Sequence, residues 1–342
     1  YNYNDYYQNE YNPFSYRFNY NTGLDKFSKY TDITLHSRLL DGLNLNKIKL
    51  KKYDYSKKNI FYASFKSMYR AEGSDLRYTN YKVWESDKFN NTATFGWTHS
   101  YKYKGGNGKI NIKLTSSSIG SDYDYSKFIL TAINKSKLGK LQLNTRLFGQ
   151  YGSGTNWAGE SRLNLAGANS EELMENKFTR SEGFIPDQWL GYDITTNHFQ
   201  MGGGLNLRGY AGYYAPEINY EGNYVLTYNG TSGASISTEL EFQNIFSLER
   251  IFGLPFKTYL FADAGIINTT EITRENYKEA FSNLRSDAGL GFAVTLNEWG
   301  PLQMVKPMTL RLDLPFFLNR YPSVDEDNIQ YNRFVIGIGR TF

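Results

Sequence analysis

The chain has 342 residues, 40% of them hydrophobic and 17% aromatic, with no cysteine and a formal net charge of +4. The aromatic content excludes a disordered chain, the lack of cysteine excludes disulfides and thiolate chemistry, and the small charge predicts no nucleic-acid partner. No segment approaches the roughly 18 consecutive apolar residues of a transmembrane helix, so a membrane protein of this composition would cross with strands.

From the start to about residue 151, apolar and polar residues alternate in segments that polar turns separate. Phe14, Tyr16, Phe18 and Tyr20 share one face of the first segment. This period of two is that of β-strands with unlike faces, and the series predicts an antiparallel meander. Tight turns are predicted at 106–108 and 137–140. The later segments lie at about 33–39, 61–65, 93–101, 110–114, 128–130 and 141–147.

A long interruption of this alternation runs from about residue 152 to 199. It contains a helix-compatible run at 170–176, whose paired acids Glu171 and Glu172 we expect to be solvated. Loops of this length in a compact chain are usually functional. A glycine-rich stretch and the tetrapeptide Leu207-Arg208-Gly209-Tyr210 come next, followed by a tyrosine-rich loop to about residue 228.

Five further strands are predicted after this loop, and with the earlier segments the pattern gives about fourteen strands. The predicted fold class is an all-β, up-and-down transmembrane barrel of 14–16 strands. No linker or second core is visible, so residues 1–342 are expected to form a single domain. A soluble sandwich of this length would need two domains, and a propeller would show a repeat of about 40–50 residues. The five strands are expected at about 233–246, 255–267, 285–297, 307–317 and 330–342.

The C-terminal segment alternates large apolar residues with small or polar ones. We expect it to be a strand that runs to the last residue and closes a sheet in lipid, since only closed barrels and helices span bilayers. Gly337 and Gly339 are expected to weaken side-chain packing at a seam between the first and last strands. The large apolar residues, which form a candidate assembly signal, are Phe334, Ile336, Ile338 and Phe342.

The tetrapeptide Leu207-Arg208-Gly209-Tyr210 resembles the [VIL]-Arg-Gly-[FY] motif of the BamA/TamA superfamily of outer-membrane insertases, which includes two-partner-secretion transporters. In that superfamily the motif lies at the tip of a long loop that folds back into the barrel lumen. The resemblance covers about residues 198–342, although Asp287 adds a residue to the family pattern or replaces its serine. Later segments that match in order are 239–243, 260–265, 285–291, 310–316 and 338–342.

Arg208 is the central residue of this motif because its guanidinium is always charged and has a planar fork of donors. Glu241 and Asp263 fall on inward registers of neighbouring strands, so we expect charge-assisted hydrogen bonds from Arg208 to hold the loop tip inside. The family resemblance implies the same pairing. Gly209 would let the backbone approach the wall or take a positive φ. Arg208, Gly209, Tyr210, Glu241 and Asp263 are therefore the predicted anchoring residues.

The resemblance implies insertion or translocation of proteins at the outer membrane of a Gram-negative bacterium, with a free strand edge as the template for an incoming strand. The implied partners are outer-membrane lipid, the machinery that recognises the C-terminal strand, client proteins, and periplasmic or lipoprotein components. Two alternatives stay open. The barrel could anchor an upstream enzyme, such as a patatin-like lipase or a peptidase, or it could be a diffusion pore.

Recognisable catalytic and metal-binding patterns are missing from the sequence. His36, His99 and His198 have no metal-binding partner at a useful spacing, and the Gly-x-Ser-x-Gly elbow is absent. We expect no catalytic residue, no metal and no cofactor. The chain starts at Tyr1 without a charged-then-apolar leader, so an export signal is expected to have been removed and any periplasmic N-terminal domain to lie outside this chain.

Overall fold

Long strands with unlike faces form most of the fold in a computed structural model of the chain. In the first half they are β1 (Tyr16–Thr22), β2 (Thr31–Leu40), β3 (Leu43–Tyr53), β4 (Asn59–Arg70), β5 (Phe89–Tyr103), β6 (Gly106–Ser117), β7 (Asp124–Leu138) and β8 (Leu141–Asn156). The structure describes residues 16–22, 31–40, 43–54, 56–71, 83–175, 198–212, 215–218, 224–242, 256–273, 279–296, 308–320 and 333–342. Phe14, placed by its pattern in the first strand, lies outside them.

Short elements fill the predicted loop, and longer strands follow it. The short elements are β9 (Leu163–Asn164), helix α1 (Ser170–Glu175), β10 (Phe199–Met201), β11 (Pro216–Ile218), β12 (Tyr224–Leu226), β13 (Asn229–Gly230) and single 3-10 turns at Gly159–Ser161 and Arg208–Tyr210. The later strands are β14 (Gly233–Glu241), β15 (Phe256–Thr273), β16 (Glu279–Phe281), β17 (Arg285–Leu296), β18 (Met308–Leu318) and β19 (Val335–Ile338). The five strands predicted after the loop are β14, β15, β17, β18 and β19.

One large sheet connects these strands in chain order. Strands β1 to β8 form an antiparallel meander, β8 pairs with β14, and β15, β17, β18 and β19 continue the antiparallel order, while β16 pairs only with β15. The predicted all-β antiparallel fold class is confirmed. Among the described residues, however, the second neighbour of β19 is the short parallel strand β10 and not β1, so the described sheet is open.

The turn predicted at 106–108 lies earlier in the structure. Strand β6 already begins at Gly106, and Gly108 pairs with Tyr101 of β5. A Cβ at Gly108 would clash with the ring of Tyr101, so glycine is needed here to make room for an aromatic side chain across the strands. By contrast, the turn predicted between β7 and β8 is confirmed, with Gly139 at a φ of +63°.

The two faces of the sheet differ in polarity. Large apolar side chains project from the outer face, and Phe95 and Phe61 are 63% and 55% exposed. Inward-facing residues are mostly polar and buried, because the loop residues between β8 and β14 pack against them. An apolar outside around a polar inside is the arrangement of barrels in lipid. Further exposed outer residues are Ile48, Phe65, Leu114, Phe128, Leu147, Ile236, Leu260 and Leu310. In the described stretches no helix is long and apolar enough to cross a membrane.

Candidate functional site: a buried loop between two charged walls

The loop between β8 and β14 lies against the inner face of the sheet, and its described part within residues 157–232 is called the inner loop below. Its backbone is internally bonded: Leu165 N donates to Tyr228 O over 2.7 Å, and Leu207 N donates to Leu165 O over 3.1 Å. An apolar cluster joins the inner loop to the inner face of the sheet, and burial of these side chains stabilises the loop without any ion pair. The cluster consists of Phe148, Leu163, Leu165, Leu205, Leu207, Tyr210, Ala215, Ile267 and Leu318.

Arg208 is the polar anchor at the tip of the inner loop, and it is only 1% exposed. Its Nε donates to Asp263 Oδ2 over 2.8 Å, its Nη2 to Asp263 Oδ1 over 3.1 Å, and its Nη1 to Glu239 Oε1 over 2.7 Å. The guanidinium also lies 4.3 Å from the centre of the Phe261 ring. Burial opposes its charge, but Asp263, Glu239 and Asp313 hold the pKa of Arg208 well above its ordinary value.

The predicted acid partner Glu241 is corrected to Glu239. Both residues face inward on β14, so alternation alone could not separate them. The register decides: Asp263 lies opposite Ser237, which puts Glu239 diagonally beside Asp263 and Glu241 one inward position farther away. Glu241 instead accepts hydrogen bonds from Arg340 Nη2 over 2.7 Å and from the side chain of Asn144.

Gly209 and Tyr210 pack the tip of the inner loop against β17 and against the residues that follow β18. A Cβ at Gly209 would lie 2.7 Å from Asp287 Cβ, so close approach, rather than a positive φ, explains the glycine. Tyr210 Oη donates to Asn319 Oδ1 over 3.0 Å and accepts from Arg320 N over 3.2 Å. The structure therefore places Arg208, Gly209 and Tyr210 against the sheet.

The surface that receives Arg208 is strongly acidic, and we call its five buried carboxylates the acidic wall. Two further arginines, Arg311 and Arg340, bond to this wall: Arg311 to Asp313, and Arg340 to Glu239 and Glu241. Neither arginine was predicted to pair with these acids: Arg340 lies about a hundred residues after Glu239 and Glu241, and the segment that holds Arg311 and Asp313, two residues apart on β18, gave no sign of their pairing. Within the described stretches no group of three or more acids, histidines or cysteines is placed to hold a metal ion. The acidic wall comprises Glu239, Glu241, Asp263, Asp287 and Asp313.

The end of the chain supplies Arg340 because the last strand is shorter than predicted. The expectation of a strand running to Phe342 is wrong: β19 ends at Ile338, and Gly339 has a φ of +78°, a conformation that turns the backbone. The turn directs Arg340 to the acidic wall. Gly337 has its own role, because a Cβ there would clash with the guanidinium of Arg311.

A second anchor, of opposite charge, is formed by helix α1. Asn169 Oδ1 accepts from Glu172 N over 2.9 Å and Glu172 Oε2 accepts from Asn169 N over 3.1 Å, a reciprocal capping box. The expectation that Glu171 is solvated is wrong: it is buried and pairs with Lys66 and, at 3.2 Å, with Lys127. Burial alone would raise its pKa, but these lysines hold the pKa of Glu171 well below its usual range.

The lysines that receive α1 form a basic wall opposite in sign to the acidic one. Glu175 bonds Lys66 over 2.8 Å and also pairs with Lys47. A cavity of about 370 Å³ separates part of α1 from this wall. The inner loop thus presents carboxylates to lysines on one side and a guanidinium to carboxylates on the other, which determines its orientation. The basic wall, on β3, β4, β6 and β7, comprises Lys47, Lys49, Lys66, Lys113 and Lys127.

A pH-dependent element of the inner loop is Glu160, which is buried in the first 3-10 turn. Its Oε1 accepts from Asn90, its Oε2 has no hydrogen-bond partner among the described residues, and burial raises the pKa of Glu160 to about 7. Between its ordinary value of 4.5 and about 7, the folded state holds a proton that the unfolded state has lost, so stability falls as the pH rises through this window.

Glu160→Gln is therefore expected to remove most of the loss of protease resistance that we expect for the inner loop as the pH rises from 4.5 to about 7. Glutamine keeps the shape and the acceptor for Asn90 but cannot ionise. Limited proteolysis at several pH values between 4.5 and 7 is the measurement, with Glu85→Gln as the control because Glu85 is exposed. An unchanged pH dependence in Glu160→Gln would assign it to another group.

These features define a class of protein: an antiparallel β-barrel-type fold with an apolar outer face and a loop anchored inside. No family model matches the chain, and no curated protein sequence matches it. Among solved structures, the chain is similar to the crystal structure of BamA from Haemophilus ducreyi lacking POTRA domains 1-3, with a TM-score of 0.50 and 14% identity over 94% of this chain. It covers 62% of the chain in that structure. The fold is that of a BamA-type barrel, as the resemblance at Arg208 implied.

Proposed function

We propose that this chain is one integral β-barrel domain of a Gram-negative outer membrane, and that it inserts or translocates proteins at the seam next to its last strand. The observation that carries the proposal is the inner loop, which is anchored on the inside by Arg208, while among the described residues the second edge of β19 is paired by the three-residue parallel strand β10. An edge paired by so short a strand becomes a template for another strand once the short strand leaves it.

Membrane location is supported by the outer face. Its exposed phenylalanine, leucine and isoleucine side chains lie on strands of up to 18 residues, longer than the roughly 9–11 that a tilted strand needs to span a bilayer. On this proposal the outer face meets lipid. The charged walls face the interior, where the inner loop compensates them.

The role in protein insertion is supported by the fold likeness and by the inner loop. A diffusion pore needs an open polar lumen, whereas here an apolar cluster and two ionic anchors bind the loop to the inner face. Partners on this proposal are outer-membrane lipid, the machinery that assembles the chain itself, and client proteins that present a strand to the seam. Periplasmic or lipoprotein components would deliver those clients.

The proposal predicts that liposomes containing this protein fold an unfolded outer-membrane barrel several times faster than empty liposomes do. Folding is followed by the heat-modifiable gel mobility of the client. The control is the same protein after heat denaturation. Equal rates with and without the protein would contradict insertion, and a large steady single-channel conductance would indicate a pore.

A further inference from the structure

The second edge of β19 is occupied by the inner loop itself. Residues Phe199, Gln200 and Met201 of β10 pair in parallel with Ile336, Gly337 and Ile338. The backbone bond Ile336 N to His198 O, at 2.6 Å, continues this ladder. Every other neighbouring pair in the path from β1 to β19 is antiparallel. Strand β10 therefore differs from the rest of the sheet in both direction and origin.

Side chains reinforce this short pairing. Gln200 Oε1 accepts from the guanidinium of Arg311, and Gln200 Nε2 donates to Ala166 O over 2.6 Å. The ring of His198 stacks on Phe334 with centroids 3.9 Å apart, and His198 Nδ1 lies 2.9 Å from Phe334 O. These contacts bind the inner loop to Phe334, directly before β19, and to Arg311 on the neighbouring strand β18.

The pairing is suited to exchange because it is short. Three residues in a parallel ladder form fewer and slightly weaker backbone bonds than the long antiparallel pairs elsewhere in the sheet. Uncovered, the same edge would expose unpaired backbone groups, which proteins avoid. A three-residue cover satisfies the edge yet can be replaced by a longer strand that forms more bonds.

The residues of β10 indicate which kind of strand can pair with this edge of β19. Phe199 and Met201 lie beside the apolar Ile336 and Ile338, and Gln200 lies beside Gly337, where its acceptor meets Arg311. A replacement strand needs apolar side chains at alternate positions and a hydrogen-bond acceptor at the inward position between them. Strands of other membrane barrels have this alternation of apolar and polar residues.

We propose that β10 is a displaceable cover on β19, and that the partner which replaces it is an extended strand of a client membrane β-barrel with an acceptor side chain toward Arg311. This inference rests on the proposed function and adds how access of a client strand to β19 is regulated. Displacement would break a bond to the segment that leads to Arg208, because Asn206, between β10 and Arg208, accepts from Gln200 Nε2 over 3.3 Å and donates to Thr341 Oγ1 over 3.4 Å.

The absence of cysteine in the chain allows a clean test by disulfide locking. Met201→Cys combined with Ile338→Cys joins two register partners and should lock the cover under oxidation. The matched control, Thr238→Cys with Ala262→Cys, joins register partners of β14 and β15 far from the edge. Both variants are prepared in liposomes, oxidised and reduced.

The probe is a synthetic peptide with the sequence of residues 233–242, in which the acceptor Glu241 lies between the apolar Leu240 and Phe242, and with one photoreactive residue. The readout is crosslinking to β19 mapped by mass spectrometry. Oxidation should reduce crosslinking severalfold in the β10–β19 pair, reduction should restore it, and the control pair should not respond. Crosslinking that is equal in the oxidised and reduced β10–β19 pair would overturn the inference.

Measuring the rate at which a client folds distinguishes a failure of this inference from a failure of the proposed function. If reduced and wild-type protein fold a client but locking leaves the rate unchanged, the cover is not displaced and the inference fails alone. If none of the proteins folds a client but locking still blocks peptide crosslinking, the edge binds strands and the proposed function fails. Gln200→Leu, which removes the acceptor for Arg311, should increase crosslinking without oxidation, and an unchanged yield would contradict a role for that bond.

Discussion

Arg208→Ala is expected to detach the tip of the inner loop while the barrel stays folded. The change removes three side-chain hydrogen bonds and leaves Asp263 and Glu239 buried without this cation. Removing one partner of a buried ion pair costs about 3–5 kcal/mol where water is excluded, and less in a hydrated lumen. The apolar cluster around Leu207 should retain the rest of the inner loop.

Protease cleavage near Tyr210 measures this effect, and heat-modifiable mobility on a gel checks that the barrel is folded. Arg320→Ala is the control, because the side chain of Arg320 is exposed. Arg208→Lys should give an intermediate rate, since an ammonium keeps the charge but not the two-pronged geometry toward Asp263. Cleavage of Arg208→Ala at the wild-type rate would exclude anchoring by this residue.

A double-mutant cycle identifies the acid that shares Arg208 with Asp263. Glu239→Gln combined with Arg208→Ala should be less damaging than the sum of the two single changes, because both remove the same interaction. Glu241→Gln combined with Arg208→Ala should be close to additive. The opposite ranking would restore Glu241 as the partner and contradict the register between β14 and β15.

The second large effect is expected at the C terminus, where two changes two residues apart, at Arg340 and Phe342, should act differently. Arg340→Ala should permit insertion but loosen the end of the chain, because hydrogen bonds to charged groups contribute about 1.5–3 kcal/mol each and two are lost. Deletion of Phe342 should instead impair assembly into the membrane, as expected for a residue that the assembly machinery recognises. The measurements are the inserted fraction and the thermal stability of that fraction.

Arg340→Lys is the matched control, because it keeps a cation near Glu239 and Glu241. A normal inserted fraction with normal heat-modifiable mobility after deletion of Phe342 would contradict the assembly signal. A stability of Arg340→Ala equal to that of the wild type would mean that the bonds to the acidic wall contribute nothing measurable.

Local patterns predicted the strands well because alternation depends on neighbouring residues only. Most strands of the meander, the helix at Ser170–Glu175 and the five strands after the loop follow from such patterns, whereas β3 (Leu43–Tyr53) was not among the predicted segments. The length of β19 was overestimated for the same reason: alternation continues through Thr341, but Gly339 turns the backbone and the pairing ends at Ile338. Alternation shows which face a residue occupies, and pairing shows where a strand ends.

Charge partners were predicted less well because they depend on register and on distant strands. Arg208 and Asp263 could be proposed from the motif, whereas the choice of Glu239 over Glu241 depends on one step of the β14–β15 register. The residues around Glu171 and Glu175 gave no indication of their charge partners. Lys66, which pairs with both, lies more than a hundred residues earlier in the chain. A single sequence does not record such distances.

The sequence by itself determined that this protein is a sheet of alternating strands with an apolar face, and that its long loop carries an arginine suited to carboxylates. Only the tertiary structure decided that the loop is held between walls of opposite charge, that Arg340 returns to the acidic wall, and that β10 covers the last strand. The physical reason is the range of the interactions. Periodicity is a property of adjacent residues, whereas ion pairs and edge pairing arise from residues that only the folded sheet brings together.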